Sequence, residues 1–232
     1  MKRRVLLALL GLALAVAFAG LGRWQLARED QKRALLDAAE AALQAAPVSL
    51  AAAEAPGADP LRAAGRGRFL DTPVLWLDNQ RRGPRVGLKM YCAFAPDDGA
   101  PLLLDLGWLP LAGDRALPAE RCPRGEAGVS GLLVPPPATG LALGEGLQRQ
   151  PDGSWLALNL APDALAKAWS LPALAPRVLR VDPALPIGHE RDLDLLPNTL
   201  PPEKHRGYAI QWFGLSAAMV VIVLLLSFRR RP

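Results

Sequence analysis

The sequence predicts a membrane protein in which two transmembrane α-helices flank an extracytoplasmic α+β domain with a mainly antiparallel β-sheet. Two apolar runs lie near the two ends of the 232-residue chain: an unbroken one at residues 5–21 and a largely apolar one at about 209–228. Each run is long enough to cross the hydrocarbon core of a bilayer, which takes roughly 17–25 residues. Between the two runs the hydrophobic pattern changes to the alternation that is typical of β-strands.

The charge distribution predicts the topology. Six of the 27 basic residues lie in the first four and the last four positions, which leaves 21 basic against 22 acidic residues between them. Basic residues that flank a span stay in the cytoplasm, so we expect cytoplasmic ends and a periplasmic middle at a bacterial inner membrane. Because the positive excess belongs to the ends, it does not indicate a nucleic-acid partner. The predicted order is a basic tail at 1–4, a transmembrane helix at 5–23, a membrane-proximal helix and Pro/Ala-rich loop at 24–60, a periplasmic α+β domain at 61–204, a transmembrane helix at 205–228 and a basic tail at 229–232.

The first apolar run also fits a second interpretation. Its basic start and the small-x-small sequence Ala-Phe-Ala at 17–19 are typical of a cleaved secretory signal. Trp24, just after the run, favours a retained anchor, because tryptophan prefers the membrane–water interface. Residues 27–46 then predict a polar–apolar helix that ends before Pro47.

The middle of the chain predicts several strands and one short helix. Residues 87–94 have an alternating, strand-like pattern, the sequence Pro-Asp-Asp-Gly follows at 96–99, and residues 102–109 predict the partner strand. Asp tolerates turn geometry and Gly supplies a positive φ, so this segment predicts a β-hairpin. A proline and an aspartate in the first turn predict a helix at 162–169. Further strands are predicted at 66–70, 74–78, 128–134, 154–160 and 177–182.

Cys92 and Cys122 are the two cysteines of the chain. A disulfide is permitted in a periplasmic domain. The spacing of the two residues matches neither a Cys-x-x-Cys motif nor a metal-site pattern. The sequence therefore leaves a disulfide and two buried thiols as alternatives.

The sequence contains no motif of an enzyme. It has no Gly-rich dinucleotide or phosphate loop, no His-Glu-x-x-His zinc motif and no Gly-x-Ser-x-Gly nucleophile motif. With two histidines it cannot assemble a histidine-rich metal site. We therefore expect a protein without enzymatic activity.

The start of the second span carries the main candidate binding site. On a helix, Tyr208, Trp212 and Ser216 lie within about 60° of His205. A neutral imidazole can bind haem or copper, and an aromatic stripe suits a flat, hydrophobic ring. An ordinary aromatic belt at the membrane interface is the alternative. Gln211, an amide near hydrocarbon, predicts packing against another helix.

A corresponding set lies at the outer end of the first span. Trp24 and Arg28 are four residues apart and share a helix face, with Gln25 beside them. Arg28 could pair with a ligand carboxylate such as a haem propionate, or equally with lipid headgroups. If the two helices pair, this set and His205 lie at the same membrane surface. His189, alone in a predicted loop, is interpreted as a solvated surface residue.

These motifs together resemble the Surfeit locus protein 1 family, whose members are cytochrome c oxidase assembly factors of bacteria and mitochondria. The resemblance implies two spans, an outer domain and both ends inside, and therefore a first span that is retained. This chain departs from the family pattern at Leu106, where the family usually has arginine, and at Glu203-Lys204, where asparagine is frequent. The residues that carry the resemblance are Leu21-Gly-x-Trp-Gln-Leu-x-Arg28, Lys32, Gly107-Trp108 and His205-x-x-Tyr-Ala-x-Gln-Trp-Phe213.

The resemblance also implies a function, the maturation of a haem-copper oxidase by presenting haem a to its catalytic subunit. His205 matches the histidine that is implicated in haem binding in bacterial members, and Trp24 matches the first-span tryptophan. The expected partners are cytochrome c oxidase subunit I, the haem a synthase and membrane lipids. A haem-free membrane scaffold that stabilises an oxidase subunit or the haem synthase is the alternative. The candidate site residues are His205 as the haem-iron ligand, Tyr208, Trp212, Trp24 and Arg28 as further haem contacts, and Gln25, Gln211, Gly107 and Trp108 as packing or partner contacts.

Overall fold

The computed structural model describes residues 2–111, 113–137, 146–193, 195–196 and 199–228. The predicted basic tail at 229–232 lies outside the described residues, as does residue 1 of the tail at 1–4. The chain divides into two compact units: a helix unit, Met1–Leu36 with Thr199–Pro232, and a barrel unit, Asp37–Asn198. In chain order the elements are α1 (Lys2–Gln44), a 3-10 helix (Leu50–Glu54), β1 (Leu61–Phe69), β2 (Leu75–Arg82), β3 (Arg85–Pro96), β4 (Leu102–Pro110), β5 (Glu126–Val134), β6 (Leu147–Arg149), β7 (Trp155–Ala157), α2 (Pro162–Ala168), β8 (Val178–Val181) and α3 (Pro202–Phe228).

Two long helices make up the helix unit. The first, α1, runs without a break from the apolar run through the polar segment after it, and its last residues belong to the barrel unit. The second, α3, begins at Pro202, a residue favoured at the start of a helix because its φ is already helical. Both helices are long and apolar enough to cross a membrane. Side chains such as Leu9, Ile210 and Leu225 are exposed on them, and apolar surface of this extent is typical of contact with a membrane or with another protein.

The strands of the barrel unit form one eight-stranded sheet with the order β1-β5-β8-β4-β3-β2-β7-β6. β1 also pairs with β3, through residues 67–69 and 94–96, so five of the strands close on themselves as a small barrel. The predicted hairpin of β3 and β4 is present.

The sheet is mixed, which refines the prediction of a mainly antiparallel sheet. β4 pairs with β8 in parallel, and β2 pairs with β7 in parallel. Parallel neighbours need a long connection, and in both cases many residues separate the two strands along the chain. Short β6 was not predicted, and the strand predicted at 154–160 covers only Trp155–Ala157.

Alternation along the strands places the core on two sides of the sheet. Cys92, Phe94 and Leu104 belong to one apolar cluster, and their neighbours Ala93 and Leu103 belong to the other. The second cluster also contains residues of α2 and the end of α1 that lies in this unit. Successive side chains of a strand point to opposite faces of the sheet, which explains how the same strands contribute apolar residues to both clusters.

Three polar side chains lie buried on the second face of the sheet. Lys89 Nζ lies 2.6 Å from Asp105 Oδ2, and both side chains are nearly inaccessible to solvent. The Tyr91 hydroxyl lies 3.4 Å from the same carboxylate oxygen, to which it can donate. Burial raises the pKa of Tyr91 well above its ordinary value, and the negative charge of Asp105 adds to this effect. Tyr91 therefore stays protonated and remains a hydrogen-bond donor to Asp105.

Cys92 and Cys122 form a disulfide, with their Cα atoms 5.7 Å apart. This settles the alternative that the sequence left open. The bond joins β3, in the barrel core, to the segment between β4 and β5. In the described residues of that segment no helix or strand is present, so the disulfide constrains its position together with contacts such as the 2.6 Å ion pair of Arg115 with Asp78.

Replacing Cys122 by serine is expected to lower the free energy of unfolding of the barrel unit by roughly 3 kcal/mol. The bond closes a loop of 30 residues, and its loss gives that chain entropy back to the unfolded state. The measurement is chemical unfolding of the full chain in detergent, with the wild type under reducing conditions as the matched sample. If the oxidised wild type and the variant have the same free energy of unfolding, the disulfide does not stabilise the barrel unit and this prediction is wrong.

Candidate functional site

The described residues hold no group of three or more His, Cys, Asp or Glu side chains that could bind a metal ion among themselves. The candidate histidine, His205, lies at the polar end of the helix unit.

His205 lies in the first turn of α3 and is 6 % exposed. Its Nδ1 atom is 2.6 Å from Oε1 of Gln25 on α1, which is hydrogen-bond distance. Its Nε2 atom is buried and makes no hydrogen bond with any described residue. Buried polar atoms are usually paired, and Nε2 of His205 shares its unpaired state with a few other buried side-chain atoms of the described residues, among them Thr72 Oγ1 and Trp76 Nε1.

Glu29 is a second buried polar residue of the helix unit, with 2 % exposure. Its Oε1 atom lies 2.8 Å from Nη2 of Arg206 and 2.8 Å from Nη2 of Arg33. Lys32 is also buried, and its Nζ donates to the carbonyl oxygen of Leu200. The contacts of Glu29 with Arg206 and of Lys32 with Leu200 join α1 to the chain at the start of α3, which carries His205, and the contact of Glu29 with Arg33 lies within α1.

Deeper along the same helices, the contacts are those of close packing. Trp212 stacks on Phe18 of α1 with the ring centroids 5.7 Å apart. The Ser216 hydroxyl donates to the carbonyl oxygen of Ala15 over 2.8 Å. A Cβ atom at Gly22 would come within 2.8 Å of the Phe213 ring, so a larger residue there would require the ring to move. His205, Trp212 and Ser216 of the predicted stripe therefore face α1, whereas Tyr208 does not contact it in the described residues.

The other candidate residues of the two helices lie on exposed sides. Trp24 is 56 % exposed and Tyr208 is 42 % exposed. Arg28 is exposed, and its Nη1 donates to Gln31 Oε1 over 3.0 Å. Gln211 is exposed as well. The structure thus brings Gln25, but none of these four, into hydrogen-bond contact with His205 among the described residues.

Gly107 and Trp108 belong to the barrel unit. Trp108 is 5 % exposed, donates from Nε1 to the carbonyl oxygen of Gln80 over 2.9 Å, and carries the guanidinium of Arg85 5.0 Å from its ring centroid. Gly107 has a φ of +113°, a conformation that favours glycine. Half-buried His189 donates from its backbone N–H to the Leu106 carbonyl oxygen. All three residues therefore have local structural contacts.

Glu29 and Arg206 are site residues that the sequence analysis did not identify, and it named Lys32 only as part of a motif. Gln25, Glu29 and Lys32 are spaced i, i+4 and i+7, which puts them on one face of a helix. A polar face of this kind just beyond an apolar run predicts a polar partner on the neighbouring helix. The spacing of Gln25, Glu29 and Lys32 could therefore have predicted a polar contact between the two helices.

Comparison with known proteins agrees with these observations. A search of curated proteins found no match. A model of the SURF1 family matches residues 12–217, which include most of α1, the barrel unit and the first half of α3. The resemblance drawn from the sequence is thereby confirmed. The chain belongs to the SURF1 family, which is known for cytochrome oxidase assembly.

Proposed function

We propose that this chain is an assembly factor for a haem-copper cytochrome c oxidase that binds haem a transiently through His205 and aids its insertion into subunit I. In this proposal α1 and α3 cross the inner membrane, both ends are cytoplasmic and the barrel unit is periplasmic. The haem a synthase and membrane lipids are further partners. The protein acts by binding and release rather than by catalysis.

The observation that carries the proposal is the buried, unpaired Nε2 atom of His205. An imidazole nitrogen with a free electron pair is an axial ligand for haem iron. A single protein ligand gives a weaker hold than a pair of axial ligands would, which suits a cargo that has to be delivered. Arg28, which is exposed one turn from Gln25, is available to a haem propionate.

The burial of Nε2 adds a condition to this function. Haem iron can reach the nitrogen only after the groups that cover it have moved. Glu29, Arg206 and Lys32, which join α1 to the start of α3, are placed to resist or permit that movement. Loading and release of haem a would then depend on a local rearrangement at the start of α3.

The test is the absorption spectrum of the protein purified from membranes of cells that make haem a. We expect a haem a spectrum in the wild type and its loss in His205→Ala. His189→Ala is the matched control, because it removes the other histidine of the chain and should keep the spectrum. A haem a spectrum that persists at full strength in His205→Ala would remove His205 as the ligand, and a colourless wild type would remove the haem-binding proposal.

A haem-free scaffold is the second candidate function. The Trp212–Phe18 stacking and the Ser216–Ala15 hydrogen bond favour it, because they explain the aromatic stripe as helix packing. Under this alternative, the colourless protein co-purifies with subunit I or the haem a synthase, and His205→Ala leaves the haem content of the oxidase unchanged. Haem-poor oxidase in the His205→Ala strain would instead support haem delivery.

A further inference from the structure

We propose that Gln25 is a positioning residue that holds the imidazole of His205 in the tautomer protonated at Nδ1, which makes Nε2 the nitrogen that binds haem iron. The inference rests on the proposed function and deepens it, since it names the ligand atom and the side chain that selects it. Neither the sequence motifs nor the family match assigns this role to Gln25.

The geometry of the contact supports the assignment. Gln25 Oε1 lies 2.6 Å from His205 Nδ1. An amide oxygen can only accept a hydrogen bond, so the Nδ1 atom in this contact carries the proton. A neutral imidazole has one protonated nitrogen, and Nε2 is then left with its electron pair. Histidines that bind metals are commonly held in this way through the nitrogen that does not bind the metal.

Burial increases the effect of the contact. His205 is 6 % exposed, so water competes little for either ring nitrogen. Gln25 lies one turn before Glu29, whose contact to Arg206 ties that part of α1 to the start of α3, while its contact to Arg33 lies within α1. The ion pair therefore holds the helix segment that carries the Gln25 amide in place. This fixes the orientation of the His205 ring as well as its tautomer.

The chemical type of the partner also suits a transfer protein. A carboxylate at this position would attract the Nδ1 proton more strongly and make Nε2 a stronger electron donor to iron. A neutral amide selects the same tautomer but leaves Nε2 a weaker electron donor to iron than a carboxylate would. Gln25 therefore gives an oriented ligand of moderate strength, and replacing it by glutamate should strengthen haem binding and lower the reduction potential of the bound haem.

The first experiment uses the full chain without haem, labelled with ¹⁵N-histidine in detergent micelles. The chain has two histidines, so His189→Gln assigns the remaining pair of ring signals to His205. We expect Nδ1 to show the shift of a protonated ring nitrogen and Nε2 that of an unprotonated one. Gln25→Leu should lose this preference, and Gln44→Leu, the same substitution at an exposed position of α1, should keep it.

A protonated Nε2 in the wild type, or an unchanged tautomer in Gln25→Leu, would overturn the inference. Circular dichroism and disulfide content of each variant show whether it has folded. This experiment needs no bound haem, so its result does not depend on the proposed function.

The second experiment adds haem a to the same purified proteins and measures affinity and reduction potential. Gln25→Leu is expected to weaken binding by about 10- to 100-fold, as is typical when the residue that orients a metal ligand is lost. Gln25→Glu should bind more tightly than the wild type and at a lower potential. If binding requires His205 but Gln25→Leu matches the wild type in both readouts, the positioning role is wrong while the proposed function stands. If haem a binds the wild type and His205→Ala alike, the proposed function is wrong while the tautomer assignment stands.

Discussion

Replacing Asp105 by alanine is expected to lower the free energy of unfolding of the barrel unit by about 3–5 kcal/mol. The carboxylate lies 2.6 Å from Lys89 Nζ, and the two side chains are 5 % and 11 % exposed. Without Asp105 the ammonium group of Lys89 remains in a buried position with its charge uncompensated. The hydroxyl of Tyr91 also loses its acceptor, and the backbone N–H of Gly107 loses the 3.1 Å hydrogen bond to Asp105 Oδ1.

The measurement is hydrogen exchange of peptides from β3 and β4, the two strands that carry this network, in the full chain in detergent. The double variant Lys89→Met with Asp105→Leu is the control. Because replacing both partners removes the buried charges together, the double variant should recover most of the lost stability. If the double variant is as unstable as Asp105→Ala, the loss comes from packing and not from the unpaired charge of Lys89.

Much of the local structure could be predicted from the sequence, because it depends on neighbours along the chain. The apolar runs predicted both long helices, and the turn at 96–99 predicted the hairpin of β3 and β4. A proline in the first turn predicted α2. In each case a few adjacent residues carry the physical cause, which is helix periodicity, turn geometry or a fixed φ.

Closure of the barrel could not be predicted, because its causes are distant in sequence. The pairing of residues 67–69 with 94–96 depends on strands from separate parts of the chain. A side chain at Gly67 would overlap the backbone of Ala95 and Pro96, but the sequence does not show which backbone comes so near. The disulfide was left open for the same reason, since a separation of 30 residues says nothing about a Cα distance of 5.7 Å.

The candidate site was predictable in part. His205 was identified from its place at the start of an apolar helix, and Gln25 from its place in the first-span motif. That the two side chains would lie 2.6 Å apart required the pairing of α1 with α3, which no pattern in either helix specifies alone. That Nε2 is buried without a hydrogen-bond partner depends on the groups that surround it in the fold, so the sequence could not show it.

The double variant Arg33→Ala with Arg206→Ala is expected to destabilise the helix unit by about 3–5 kcal/mol, although each single change should cost about 1 kcal/mol or less. The side chain of Glu29 is 3 % exposed, whereas those of Arg33 and Arg206 are 45 % and 57 % exposed. Each arginine is partly exposed, so each ion pair alone contributes little to stability. Either arginine can compensate the charge of the buried carboxylate. Removing both leaves the charge of Glu29 buried without a partner.

Hydrogen exchange of peptides that cover residues 25–33 and 202–209 measures this effect, and the two single variants and the double variant together form a double-mutant cycle. Adding Glu29→Gln to the double variant should restore most of the protection, because it removes the buried charge that the arginines neutralise. Additive small effects in the cycle would mean that solvent, and not the arginines, neutralises Glu29. Because Gln25 lies one turn from Glu29, the destabilised double variant should also lose the selective tautomer of His205, and the Glu29→Gln addition should restore it. If Glu29→Gln restores both the hydrogen-exchange protection and the tautomer of His205, the orientation of the candidate haem ligand depends on the ion pairs of Glu29.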